Sequence, residues 1–162
     1  MSRFLKIIFF IGIGFVAGAY LFSQTQPRTF VTLHDCKPVC LSTSELLGLL
    51  TSVGIQRLPH PESAIIMETD KTVVVQHPYS EAPIHYLVLP KKDIRNIVEA
   101  SLEDQSYIMD AFAVIKKIVD ERKLAYYQVI TNGPGLQQVD YLHFHLMAWT
   151  DKNQLPTSTP KN

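Results

Sequence analysis

Three kinds of hydrophobic pattern succeed one another along the chain. From Phe4 to Phe22 fifteen of nineteen residues are apolar, with no polar face interrupting them. As a helix this run is about 28 Å long, close to the hydrocarbon thickness of a bilayer. Arg3 and Lys6 precede or enter the run and the next cation is Arg28. That asymmetry predicts an N-terminus inside and a domain outside. Ala17-Gly18-Ala19 has the small-x-small form of a cleavage site, so an uncleaved anchor and a signal cut after Ala19 are both open. Residues 1–22 form this anchor or signal helix, and 23–33 a polar, β-branched extended stretch.

Beyond it the periods shorten. Ser42-Thr43-Ser44-Glu45 offers caps for a helix over Glu45 to Ser52, stopped by Gly54, whose Leu46, Leu47, Leu49 and Leu50 should pack on the main domain. Ala64–Glu68 and Thr72–Gln76 read as a hairpin around Thr69-Asp70-Lys71, and Ile84–Leu89 as a third strand halted by Pro90. Asp93–Glu99 reads as one or two helical turns. Ser101 and Asp104 resemble a capping box opening a long helix to about Lys123. Ile108, Ala111, Phe112, Ile115, Ile118 and Val119 recur at three and four, the stripe of a helix lying on a sheet. Tyr126–Ile130 is a fourth strand, 131–136 a turn and Gln138–Trp149 a long fifth strand. The tail, 150–162, is polar and expected to be disordered. The order β-β-β-α-β-β with short links predicts an α+β domain: a five-stranded antiparallel sheet with its helices on one face. Residues 23–62 are then linker and short helix, and 63–149 the domain.

Composition narrows the function. The formal charge is zero and there is no Lys/Arg run, which argues against a nucleic-acid binder. Two cysteines exclude a disulfide-dense scaffold. Cys36 and Cys40 would meet oxidising conditions if exported from a bacterium, and a disulfide leads there; zinc, with His34 nearby, is the rival.

The last strand carries the candidate chemistry. Alternation puts Leu142, Phe144, Leu146 and Ala148 on one face and Tyr141, His143, His145 and Met147 on the other. Two imidazoles about 7 Å apart along one face could ligate a metal, sit as structural histidines, or act as a nucleophile and a hydrogen-bond donor to a developing negative charge. The turn with Asn132, Gly133 and Gly135 leads into the same strand, and its backbone N–H groups can point at an anion.

These residues carry a resemblance. EAPIHYLVLPKK (81–92), a long helix, and YYQVITNGPGLQQVDYLHFHL (126–146) resemble the histidine-triad (HIT) family of nucleotide hydrolases and nucleotidyl transferases. The likeness covers roughly 63–149. The family motif Gln-x-Val-x-His-x-His-x-His, anchored on Gln137-Gln138-Val139, places its first histidine at Tyr141, its middle one at His143 and its last at His145. The resemblance implies that His143 attacks the α-phosphorus and forms a nucleotidyl intermediate, and that His145 stabilises the transition state. It implies substrate contacts from Asn132, Gln137, Gln138 and Tyr141, and a supporting place for His85. Tyr141 would orient a neighbour through its hydroxyl.

The chain departs from the family at Tyr141 and at His77, which stands where a ribose-binding acid is expected. The zinc site of some members looks dismantled, which accords with a Cys36–Cys40 disulfide. No cofactor or catalytic metal is expected. Partners implied are a nucleotide or nucleotide-lipid substrate, the membrane through residues 4–22, and a second copy as a homodimer. The expected location is the inner membrane, single-pass, with the domain facing the periplasm. A non-catalytic HIT-like binding module and a hydrolase like CDP-diacylglycerol pyrophosphatase are the alternative readings.

Overall fold

The computed structural model describes residues 3–31, 40–59 and 62–154. Cys36 lies outside these residues, as does the tail from 155; Cys40 is disulfide-bonded. The N-terminal helix α1, Arg3–Phe22, buries none of its residues. It is long and apolar enough to cross a membrane by length and composition.

Five strands form one antiparallel sheet in the order β1-β2-β3-β5-β4. They are β1 (Ile65–Glu68), β2 (Thr72–Gln76), β3 (Ile84–Pro90), β4 (Tyr126–Ile130) and β5 (Phe144–Trp149). The first hairpin closes through Thr69, whose hydroxyl accepts the Lys71 and Thr72 N–H groups. β5 lies between β3 and β4, so Leu87 and Ile130 both pair with His145. The residues of the most informative strand therefore occupy the middle of the sheet.

One face of the sheet carries the long helix α3, Gln105–Arg122. Val74, Tyr86, Val88, Phe144 and Leu146 pack there against Ala111, Val114, Ile115 and Ile118. The expected stripe is thus buried as the three-four spacing requires, although Phe112 stays 44% exposed. The Ser101 and Asp104 capping box is present, and Lys123 closes the helix in a left-handed conformation at φ 52°.

The helices do not all share that face. α2, Thr43–Arg57, reaches the opposite one, where Ile55 joins Val73, Leu89 and Tyr141. It also runs through Gly54, because one helical glycine costs only about 1 kcal/mol and the Leu58 N–H still bonds the Gly54 carbonyl. Its leucines do not provide the packing face: Leu46, Leu47 and Leu50 are exposed, while Glu45, Gly48 and Ser52 are buried. The inward face is chosen by charge and backbone approach. Glu45 pairs with Arg28 and Arg95, and Gly48 lets the helix backbone close on Asp140.

Three further expectations change. The 93–99 stretch has no helix, because Asp93 is held by Gln26 and Arg28 and the Asn96 side chain takes the Val98 and Glu99 N–H groups in a tight turn. The fifth strand begins at Phe144 and not at Gln138. Ahead of it the Asp140 and Leu142 N–H groups bond Ser44 and Ile94 carbonyls, which lie outside the sheet. Finally, the start of the tail is ordered: Lys152–Gln154 forms a 3-10 turn, with Gln154 accepting from Thr150.

Candidate functional site

The face opposite α3 is hollowed into a cavity of about 680 Å³. Its floor is apolar, built from Ile65, Val73, Val75, Leu87 and Leu89, with Ile55 of α2 beside it. Its polar lining includes the mutually contacting rings of His77, His85, His143 and His145, together with Asn132 and Gln138. An apolar pocket with a few convergent polar groups is the usual form of a small-molecule site.

The hydrogen bonds of the imidazoles specify their tautomers. His143 sits just before β5, its backbone held by Thr131 through a 3.0 Å bond to the His143 carbonyl. Its Nδ1 lies 2.7 Å from the Tyr141 carbonyl oxygen. A carbonyl only accepts, so Nδ1 carries the hydrogen and Nε2 keeps a bare lone pair. For His85, Nδ1 faces the Glu81 N–H at 3.3 Å and so must accept. Its Nε2 then donates across 3.0 Å to His145 Nδ1. That leaves the hydrogen of His145 on Nε2, a buried atom with no hydrogen-bond partner among the described residues. The site presents a bare nitrogen on one ring and an unpartnered N–H on the next, with ring centroids 4.9 Å apart.

Burial favours the neutral form of these rings. His145 is pushed down to about 4 by desolvation and then by its neighbours His143, His85 and His77. His143 is lowered mainly by desolvation, partly opposed by its bond to the Tyr141 carbonyl. His85 is lowered by burial and by His77, against a smaller opposing effect of Glu81. A neutral imidazole is the form in which Nε2 of His143 can attack.

His77, His85 and His145 bring three ring nitrogens within 4.8 Å of one another, the one such cluster among the described residues. The His77 and His85 rings, however, are stacked with centroids 4.1 Å apart and planes 2° from parallel. Ring lone pairs lie in the ring planes, so in this arrangement the two run side by side and do not converge on one ion. The His85–His145 hydrogen bond makes the cluster a relay that sets the His145 tautomer.

Among the residues singled out in the sequence, His143, His145, His85, Asn132, Gln138 and Tyr141 all line the cavity. Gln137 does not: its amide donates to the Arg95 and Tyr141 carbonyls, bracing the segment before β5. Tyr141 orients His143 through its carbonyl, whereas its hydroxyl is spent on the Pro90 carbonyl at 2.5 Å, near that of Lys92. The buried phenol is raised above its ordinary pKa, chiefly by desolvation and then by Asp93. Sequence reasoning missed the ion-pair network behind the site, in which buried Arg28 pairs with Glu45 and Asp93, and partly exposed Arg95 pairs with Glu45 and Asp140. Arg28 and Asp140 are 112 positions apart, and no local spacing could have joined them.

A histidine pair at the start of the interior strand β5, one just before it and one on it, over an apolar cavity and with a third imidazole relaying to the last one, defines an α+β domain of the histidine-triad type. A family profile described as "Scavenger mRNA decapping enzyme C-term binding" matches residues 54–159. With that match across most of its length, the chain belongs to the HIT family. It is 36% identical over 87 residues to an uncharacterized HIT-like protein of Synechococcus elongatus, covering 52% of this chain and 76% of that one. A HIT-like protein of Chlamydia muridarum is 31% identical over 86 residues, 51% of this chain and 68% of its own. Among solved structures, a histidine triad protein from Clostridium difficile superposes with a TM-score of 0.57 at 24% identity, over 68% of this chain and 95% of that chain. A HIT family hydrolase from Legionella pneumophila gives 0.54 at 23% identity, over 61% and 90%. The two structures share the fold.

Proposed function

We propose that this chain is a membrane-tethered nucleotide phosphohydrolase or nucleotidyl transferase acting through a nucleotidyl intermediate on His143. The observation that carries the reading is the tautomer of His143. Its Nδ1–H is given to the Tyr141 carbonyl, so the lone pair of Nε2 is free in the cavity. Nε2 attacks the α-phosphorus, a nitrogen–phosphorus bond forms, and the bond to the leaving group breaks. The Tyr141 carbonyl then stabilises the positive charge left on the ring. His145 Nε2–H, without a partner among the described residues, donates to a non-bridging oxygen as negative charge builds there. Asn132 and Gln138, which line the same cavity, bind the phosphates or the departing group. Water, or an acceptor in the transferase case, attacks the same phosphorus in the second step and returns His143 to its starting state.

The tether in this reading is the apolar helix α1, and the placement of Arg3 and Lys6 supports a domain on the far side of the membrane. A substrate carrying a lipid beside its nucleotide diphosphate is the second reading, favoured by the apolar cavity floor and by imidazole, not carboxylate, at position 77.

Intact-mass spectrometry after incubation with an adenosine phosphoramidate tests the mechanism. A gain of one nucleotidyl group is expected on the wild type and none on His143→Ala. No adduct and no turnover with any nucleoside phosphoramidate, dinucleoside polyphosphate or CDP-lipid would leave a binding module in place of an enzyme. Turnover of CDP-lipid above that of the soluble substrates would select the second reading.

A further inference from the structure

The nucleophile does not stand on a strand. His143 follows a segment, Asp140–Leu142, that makes no sheet pairing, yet Nδ1 of His143 depends on a carbonyl of that segment. What holds those three residues is therefore what holds the tautomer.

The Tyr141–Leu142 peptide is fixed at both ends: its carbonyl accepts from His143, and its N–H donates to the Ile94 carbonyl at 2.6 Å. Each side of that second bond is gripped by one guanidinium. Nη1 of Arg28 donates to the Asp140 carbonyl at 2.7 Å, next to Tyr141. Nη2 of the same residue donates to Asp93 Oδ1 at 2.6 Å, next to Ile94. The Arg28 and Asp93 side chains are each 1% exposed. The second oxygen of Asp93 accepts the Gln26 N–H at 2.9 Å, so the chain around Arg28 is itself docked. Gly48 closes the arrangement from α2. A Cβ there would lie about 2.5 Å from Arg28 Nη1 and nearer still to the Asp140 carbonyl oxygen.

We infer that Arg28, six residues past the end of α1 at Phe22, is a positioning residue for His143: it clamps the Asp93 and Asp140 segments together and so fixes the Tyr141 carbonyl that sets the nucleophile's tautomer. Its importance to turnover rests on the proposed function; its effect on the ring does not. The stretch after the apolar helix is thus a working part of the site as well as a link. Lysine cannot replace it, because a single ammonium lacks the planar fork that reaches both segments.

Long-range proton–nitrogen NMR on the full-length protein, labelled at histidine nitrogen, reads the His143 tautomer directly. The wild type is expected in the Nδ1–H form. Arg28→Lys keeps the charge beside Asp93, and Gly48→Ala displaces the same carbonyl with Arg28 in place. Both are expected to raise the Nε2–H form and to lower kcat on an adenosine phosphoramidate about tenfold or more, with a smaller change in KM. Arg57→Gln, which removes a contact to Ser23 and Tyr20 away from the site, is expected to leave the tautomer as it was. An unchanged tautomer in both Arg28→Lys and Gly48→Ala overturns the inference, as does an equal change in Arg57→Gln. A shifted tautomer in the variants of a protein that forms no adduct upholds the inference and removes the proposed function instead.

Discussion

Replacing Gly48 by alanine sets two opposed effects against each other, and the structure decides the sign. In an exposed helix position alanine is favoured over glycine by about 1 kcal/mol. At Gly48 the added methyl meets Arg28 Nη1 at about 2.5 Å and the Asp140 carbonyl carbon at 2.9 Å. Neither can retreat freely, since Arg28 is buried on Asp93 and the Asp140 N–H is bonded to Ser44. Overpacking of this kind costs about 1–3 kcal/mol, and loosening a charged hydrogen bond about 1.5–3 more if it breaks. With the Arg28–Asp140 bond broken, the net expectation is a loss of about 1.5–5 kcal/mol once the helix gain is subtracted. Gly54, on the same helix, has nothing within 4 Å of a Cβ position, so Gly54→Ala isolates the propensity effect. That variant should gain up to about 1 kcal/mol. Urea unfolding of the full-length protein, followed through the single tryptophan Trp149, buried on β5, measures both. A Gly48→Ala protein as stable as the wild type would refute the close approach of α2 to the segment before β5.

The remaining expectations concern the imidazoles and the buried phenol. Because the His143 ring is held below its ordinary pKa by burial, the rate of adduct formation should stay flat as pH falls through 6.5 and drop only at more acid values; a midpoint at or above 6.5 would contradict the burial of the ring. Stability should show the same sign. The unfolded chain binds protons first, so the contribution of neutral His145 is complete above about 6.5 and is lost as pH falls toward about 4, which urea midpoints across that window would show. His145→Ala should still form the adduct but about 10²–10³-fold more slowly, as read by rapid-quench mass spectrometry. Tyr141→Phe should cost about 1–3 kcal/mol in urea unfolding, since the Pro90 carbonyl loses its partner, with turnover little changed because the carbonyl that orients His143 stays.

The sequence determined on its own what depends on local pattern. The apolar run of α1, the three-four stripe of α3, the hairpin at Thr69 and the strands around His85 and His145 are each set by a period or a turn within a few residues. The side-chain order Gln137-x-Val139-x-Tyr141-x-His143-x-His145 placed the two histidines together in the same way. Tertiary structure decided the rest, because it turns on contacts between distant segments. The face of α2 that turns inward follows from Glu45 meeting Arg28 and Arg95, against the pull of its leucines. The start of β5 follows from N–H groups of Asp140 and Leu142 finding Ser44 and Ile94. Which nitrogen of each imidazole is bare follows from Tyr141, Glu81 and His85 as partners. A backbone donor or acceptor has no sequence signature until the fold supplies its partner, and for His143 that partner is held by an arginine more than a hundred residues away.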